Sequence, residues 1–146
     1  MDKKGGFGAV KLYGNKVNRY LIDTQVFIWT IKEPEKLSKF AKKLISHPAN
    51  LIYISYFSLL EIKLKNLSGK LDYPTNVLKL LGKLDMELIY PETKVLDTVK
   101  IYKPSNKDPY DNLLMATAIN HNLEFITADK DILKTSANRL KTIAAS

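Results

Sequence analysis

Hydrophobic and polar residues follow one another along this chain in short blocks that predict strands and helices in turn. Apolar runs of four or five residues are typical of strands buried on both faces of a sheet. Apolar residues spaced three or four apart, as in residues 38–47, are typical of an amphipathic helix. The pattern predicts strands over residues 20–23, 51–55, 86–90, 123–127 and 140–144, and helices over residues 26–31, 38–47, 58–67, 74–84, 92–102, 111–121 and 131–136.

This alternation of strands and helices predicts the fold class. Strands joined through helices pair in parallel, and the helices then cover both faces of the sheet. Residues 1–17 read differently, because they hold four of the six glycines. We therefore predict an α/β domain over residues 18–146, preceded by a flexible or loosely attached extension over residues 1–17.

The composition of the chain indicates the cellular compartment to be expected. The chain has no cysteine, which excludes disulfides and thiolate metal sites and fits a reducing, cytoplasmic environment. The longest apolar stretch, residues 51–60, includes two serines and is far shorter than the roughly 20 residues that a bilayer-spanning helix needs. We expect no membrane association and no signal peptide.

The chain is basic, with a formal net charge of +8 and a pI of about 9.5. Four lysines and one aspartate in residues 1–17 contribute +3 of this charge, and the remainder is spread over the predicted domain. Such a charge favours a polyanionic partner, with nucleic acid as the first candidate, although basic surface also serves ordinary solvation.

Six of the fifteen acidic residues fall where a parallel sheet would gather them. One ends the first predicted strand, one lies in the first turn of the helix after the second strand, two open the helix before residues 123–127, and two follow that strand. Binding sites in parallel sheets form beyond the carboxyl ends of the strands. The six are Asp23, Glu61, Asp108, Asp111, Asp129 and Asp131.

Each acid also has a purely structural interpretation. Asp23 could cap the turn after its strand, and Glu61 could form a capping box with Ser58. Asp108 fits an N-cap before a proline, Asp111 fits the helix dipole, and Asp129 fits an Asx-turn. We favour a functional role for Asp23 and Asp129. We favour capping for Asp108 and Asp131. For Glu61 and Asp111 the two interpretations are equally supported.

A divalent cation would give the acid cluster a chemical purpose. Like charges a few ångströms apart repel and raise one another's pKa, and a hard cation removes that repulsion. Mg²⁺ or Mn²⁺ suits oxygen ligands, and such an ion stabilises charge on a phosphoryl group. No nucleophile–histidine–acid triad can be assembled, and Trp29, Phe27 and Phe57 are assigned to the core. Acids, a divalent cation and basic surroundings together predict a phosphodiester nuclease.

With these positions in hand, the chain resembles the PIN-domain ribonucleases, and within them the VapC-type toxins of toxin–antitoxin pairs. The resemblance spans about residues 18–146. Its matching segments are "YLIDTQVFIWTIKEPEKLS" (20–38), "ISYFSLLEIKLKNLSGKL" (54–71) and "KDPYDNLLMATAINHNLEFITADKDI" (107–132).

The resemblance implies a three-layer α/β/α fold with a short parallel sheet and Mg²⁺- or Mn²⁺-dependent cleavage of RNA that leaves 5′-phosphate and 3′-hydroxyl ends. It assigns the catalytic and metal-binding acids to Asp23, Glu61, Asp111 and Asp129, with Asp108, Thr127 and Asp131 as secondary candidates. It also implies a homodimer and inhibition by a small antitoxin. Four lysines near the acidic segments are candidates for RNA contacts, namely Lys63, Lys65, Lys103 and Lys107.

Other function classes remain to be weighed. Haloacid-dehalogenase-like phosphatases need a second aspartate two residues after the first, where this chain has Gln25. A receiver domain needs paired acids after its first strand, which Asp23-Thr24 does not supply. A PIN-like module that binds RNA or protein with little catalysis, and an RNA-processing nuclease that is not a toxin, are the alternatives that stay open.

Overall fold

The computed structural model of the chain describes residues 17–72, 76–102, 108–134 and 140–146. Its sheet is built from β1 (Arg19–Ile22), β2 (Leu51–Ser55), β3 (Glu87–Ile89), β4 (Glu124–Thr127) and β5 (Thr142–Ala144). The strand order is β3-β2-β1-β4-β5, and every neighbouring pair is parallel. The parallel sheet predicted from the sequence is confirmed.

Helices connect the strands, and most of them begin at a capping side chain. Ser38 and Ser55 each accept a backbone N–H bond at the start of a helix, which satisfies a donor that has no partner within the helix. In the described part of the chain the α-helices are α1 (Thr24–Lys32), α2 (Lys39–Ser46), α3 (Tyr56–Leu67), α4 (Val77–Leu84), α5 (Val95–Thr98), α6 (Pro109–Asn120) and α7 (Lys130–Leu133).

The central strand β1 shows how the three layers form. Tyr20 and Ile22 point to one face, where they pack with residues of α1, α2 and α4. Leu21 points to the other face and packs with residues of α6 and α7. Successive side chains of a strand alternate between faces, so a continuous apolar run supplies both cores. The result is the α/β/α arrangement predicted from the sequence.

The predicted helix over residues 92–102 is mostly wrong. Only α5 forms there, and of its residues only Val95 is buried. Leu96 and Ile101 lie with 75% and 66% of their surface exposed, so no described residue covers these two apolar positions of the pattern. A short helix without a buried face is marginal, which explains why this one stops after a single turn.

The other predicted elements shift by one or a few residues. β1 ends at Ile22, so Asp23 lies outside the strand, and α3 begins two residues before the prediction, at Tyr56. Residues 1–16 of the predicted extension lie outside the described residues, and the boundary at residue 18 remains a prediction. Among the described residues, no helix is long and apolar enough to cross a membrane.

Candidate functional site

A cleft of about 610 Å³ opens beyond the carboxyl ends of β1 and β4. The chain adds β2 and β3 on one side of β1 and then returns to add β4 and β5 on the other. Such a reversal leaves a crevice at the strand ends where parallel sheets bind ligands. Five of the six predicted acids line this cleft: Asp23, Glu61, Asp108, Asp111 and Asp129.

Asp23 is held at the centre of the reversal by three hydrogen bonds. Its Oδ1 accepts from the backbone N–H of Val26 at 2.7 Å, which makes it the N-cap of α1. Its Oδ2 accepts from the Thr127 hydroxyl at 2.5 Å and from the Ala128 N–H at 3.1 Å. The carboxylate therefore joins the ends of β1 and β4, and Thr127 contacts it directly.

Burial dominates the electrostatics of Asp23, whose residue surface is only 5% exposed. Loss of water raises the pKa of its carboxyl to about 6, against the opposing effect of the bonds from Thr127, Val26 and Ala128. The charge of Asp129 raises it further. The carboxylate is thus costly to ionise in the absence of a cation.

Asp129 follows β4 and caps α7. Its Oδ1 accepts from the backbone N–H groups of Asp131 and Ile132, at 2.7 and 3.2 Å, and its own N–H donates to the Thr127 hydroxyl. Among the described residues no hydrogen-bond donor reaches its Oδ2. The expected cap at Asp131 is wrong, because α7 begins at Lys130; Asp131 is exposed and does not line the cleft.

Glu61 lies in the second turn of α3 rather than the first. Ser55 caps this helix, so the capping box with Ser58 does not form. Ser58 instead accepts a buried 2.8 Å bond from the Thr24 hydroxyl, which ties α3 to α1. The buried Glu61 carboxylate accepts a 2.6 Å bond from the Lys65 ammonium one turn later.

Asp108 and Asp111 enter the cleft from the start of α6. Asp108 is the N-cap, as predicted, and accepts from the Tyr110 N–H at 2.9 Å. The neighbouring Asn112 is buried; its side chain donates to the Asp108 carbonyl and accepts from the Tyr102 N–H. Asn112 therefore fixes the backbone that presents both acids.

Several cleft residues were missed by the sequence reasoning. Trp29, assigned to the core, is half-buried: it packs on the core and also lines the cleft, with the Lys36 ammonium 5.9 Å from its ring centre. Helical spacing could have found it, since Gln25, Ile28 and Trp29 share one face of α1. The buried Thr24–Ser58 bond joins residues 34 positions apart and left no such signal.

The candidate RNA-contacting lysines are placed unequally. Lys65 lines the cleft, whereas Lys63 is exposed and does not. Lys103 and Lys107 lie outside the described residues. Two lysines that the sequence reasoning did not single out, Lys36 and Lys70, also line the cleft.

The carboxylates of the cleft are suitable ligands for a hard divalent cation, although they do not form a tight cluster. Among the described residues, no three side chains of histidine, aspartate or glutamate lie close enough to form a ready metal site. Mg²⁺, however, is usually held by one or two carboxylates, and waters and substrate oxygens complete its shell. Asp23 and Asp129, adjacent across the reversal and both facing the cleft, provide such a pair.

Comparison with known proteins identifies what the chain is similar to. A family model described as PIN domain matches residues 20–138. No functionally curated protein gave a significant match to the sequence.

Solved structures share the fold at low sequence identity. VapBC2 of Rickettsia felis, solved with a promoter DNA fragment, matches at 18% identity and a TM-score of 0.64, over 88% of this chain and 99% of that chain. VapBC-1 of nontypeable Haemophilus influenzae matches at 18% identity and a TM-score of 0.64, over 86% of this chain and 97% of that chain. VapBC of Salmonella typhimurium, bound to DNA, matches at 15% identity and a TM-score of 0.63, over 88% of this chain and 98% of that chain.

Proposed function

We propose, because this chain belongs to the PIN-domain family, that it is a metal-dependent endoribonuclease that hydrolyses RNA phosphodiester bonds. The observation that carries the proposal is the convergence of acids from four separate segments on one cleft of an otherwise basic protein. Grouping like charges is unfavourable unless a cation or a reaction uses them. The proposed metal-binding and catalytic acids are Asp23, Glu61, Asp111 and Asp129.

The chain's own residues have separable roles in this proposal. Asp23 and Asp129 would hold Mg²⁺ or Mn²⁺, and Glu61 and Asp111 line the same cleft. The bonds from Thr127 and Val26 keep the Asp23 carboxylate in one orientation. A bound divalent cation would supply charge stabilisation at the phosphorus and a more acidic water. Lys36 and Lys70, on the lining of the cleft, are suited to bind RNA phosphates.

A toxin of a toxin–antitoxin pair is the biological role that we propose. The similar structures are VapBC complexes, which supports the choice of this branch. An exposed apolar stripe along α3 supports a protein partner, because such stripes usually mark interaction sites. The stripe consists of Tyr56, Leu60, Leu64 and Leu67. An antitoxin, and a second copy of this chain, are the proposed partners.

Paired cleavage and growth assays test this function. Purified wild-type protein, Asp23→Asn and the control Asp97→Asn are incubated with structured and unstructured RNA in Mg²⁺, Mn²⁺ or EDTA. Asp97 is exposed on α5 and does not line the cleft. We expect cleavage that needs metal and falls roughly a hundredfold or more in Asp23→Asn, because the cation would lose a charged ligand and with it the stabilisation of charge at the phosphorus. Expression of the wild type or of Asp97→Asn in bacteria should arrest growth. Expression of Asp23→Asn should not.

The other outcomes identify the rival functions. Equal cleavage by wild type and Asp23→Asn would indicate a contaminating nuclease and remove the proposal. RNA binding without cleavage by any folded variant would favour a binding module. Metal-dependent cleavage without growth arrest would favour an RNA-processing nuclease that is not a toxin.

A further inference from the structure

Lys65 places a positive charge inside the acidic cleft. It lies one helical turn after Glu61 on α3, and its Nζ is 2.6 Å from the Glu61 Oε2. The Glu61 side chain is 7% exposed, whereas that of Lys65 is 46% exposed. The lysine thus neutralises a buried carboxylate while nearly half of its own side chain remains accessible to solvent.

The acids of α6 act on the same ammonium. The hydrogen bond to Glu61 raises the pKa of Lys65 most; burial opposes this, and the charges of Glu61, Asp108 and Asp111 raise it further. Carboxylates of α3 and α6 therefore both stabilise the charged form of Lys65. Lys65 stays fully charged at neutral pH.

The two sides of the cleft differ in this respect. On the side of Glu61 and the α6 acids, Lys65 supplies a positive charge. On the side of Asp23 and Asp129, no ion pair from any described residue reaches either carboxylate. An added divalent cation would meet an uncompensated pair on one side and a repelling ammonium on the other.

We propose that Lys65 is a built-in counter-cation: it neutralises the Glu61 side of the cleft in the metal-free protein and lowers the affinity of the cleft for a divalent cation. The inference rests on the proposed function, because it takes the cation to bind in this cleft. It makes Lys65 a positioning residue for Glu61, and it assigns phosphate binding to the other cleft lysines.

Calorimetric titration with MnCl₂ at pH 7.5 and low salt tests the inference. We expect Lys65→Met to bind Mn²⁺ about threefold to tenfold more tightly than the wild type, since a half-exposed charge is partly screened. The matched control is Lys63→Met, which removes a charge from the same helix but outside the cleft lining. This variant should bind Mn²⁺ with the affinity of the wild type. Lys65→Arg retains the charge and should resemble the wild type.

Thermal unfolding gives a second readout. Without metal, Lys65→Met should unfold at a lower temperature than the wild type, because the buried Glu61 carboxylate loses its partner. Its stabilisation by Mn²⁺ should exceed that of the wild type. If Lys65→Met does not fold, Lys65→Gln removes the charge and keeps an N–H donor for Glu61.

The remaining outcomes separate the two proposals. Equal or weaker Mn²⁺ binding by a folded Lys65→Met or Lys65→Gln would overturn the counter-cation role and leave the nuclease standing. Unchanged Mn²⁺ binding together with weaker RNA binding would identify Lys65 as a phosphate contact instead. Absence of Mn²⁺ binding by the wild type and by the folded Lys65 variants alike would contradict the proposed metal-dependent function itself.

Discussion

At the scale of single residues, Asp23 combines a capping role with an unfavourable ionisation. Three donors orient its carboxylate, yet burial raises its pKa to about 6. An aspartate in an unfolded chain has a pKa of about 3.9. The folded state therefore holds this proton more tightly than the unfolded state does.

The sign of the resulting pH dependence follows from that difference. Below about pH 4 the carboxyl is protonated in both states, and it affects stability little. Above about pH 6 it is ionised in both, and the folded protein bears the full cost. The destabilisation therefore develops as pH rises from about 4 to 6.

Asp23→Asn should remove this cost. In EDTA at pH 7.5 we predict that the substitution raises the free energy of unfolding by about 1 to 3 kcal/mol, and that the gain shrinks toward pH 4. Urea unfolding of both proteins across this pH range measures the difference, in which the other titrating groups largely cancel. A variant less stable than the wild type at pH 7.5 would show that the lost bonds from Thr127 and Ala128 outweigh the burial cost.

At the scale of secondary-structure elements, helix starts position the acids. Asp23, Asp108 and Asp129 are N-caps, so each carboxylate lies at the amino end of a helix that faces the cleft. The capping and functional interpretations of these residues are compatible, because a cap uses part of the carboxylate and leaves the rest accessible. A buried bond from the Thr24 hydroxyl to Ser58 joins α1 to α3.

We predict that this bond couples the two helices energetically. Thr24→Val and Ser58→Ala should each lower the free energy of unfolding by about 1 to 2 kcal/mol, because each leaves a buried hydroxyl unpaired or removes it. The double variant should lose less than the sum of the two. Urea unfolding of the four proteins measures the coupling, and strictly additive losses would show that the bond contributes nothing specific.

At the scale of the whole molecule, a protein of positive net charge carries an acidic cleft. The net charge is +8 although five acids line the cleft, and lysines share that lining. A polyanion is thus attracted to the protein as a whole, while the cleft carboxylates repel its phosphates. RNA binding should therefore be mainly electrostatic.

Salt dependence checks this distribution of charge. Using the Asp23→Asn protein to prevent cleavage, we predict that affinity for a short single-stranded RNA falls about tenfold between 50 and 200 mM salt, as two or three phosphate contacts would give. Fluorescence anisotropy titrations measure it. Affinity that does not change with salt would contradict phosphate contacts as the main source of binding.

Local patterns were sufficient to predict much of this protein. The apolar runs of β1 and β2 and the alternation of elements predicted the parallel sheet, because burial on both faces imposes such runs. The prediction of a long helix over residues 92–102 was mostly wrong, since helical spacing does not tell whether anything covers the apolar face. The cap of α7 is Asp129 rather than Asp131, because the helix begins at Lys130, one residue before the predicted start.

By itself the sequence determined the fold class and five of the six acids expected at the cleft, since both follow from residue types and their order along the chain. Tertiary structure alone decided how those acids behave. The bond from Thr127 to Asp23 joins residues 104 positions apart, and the acids at the start of α6 stabilise the charge of Lys65 on α3. Burial, pKa and charge pairing depend on such distant neighbours, and only the packed chain brings them together.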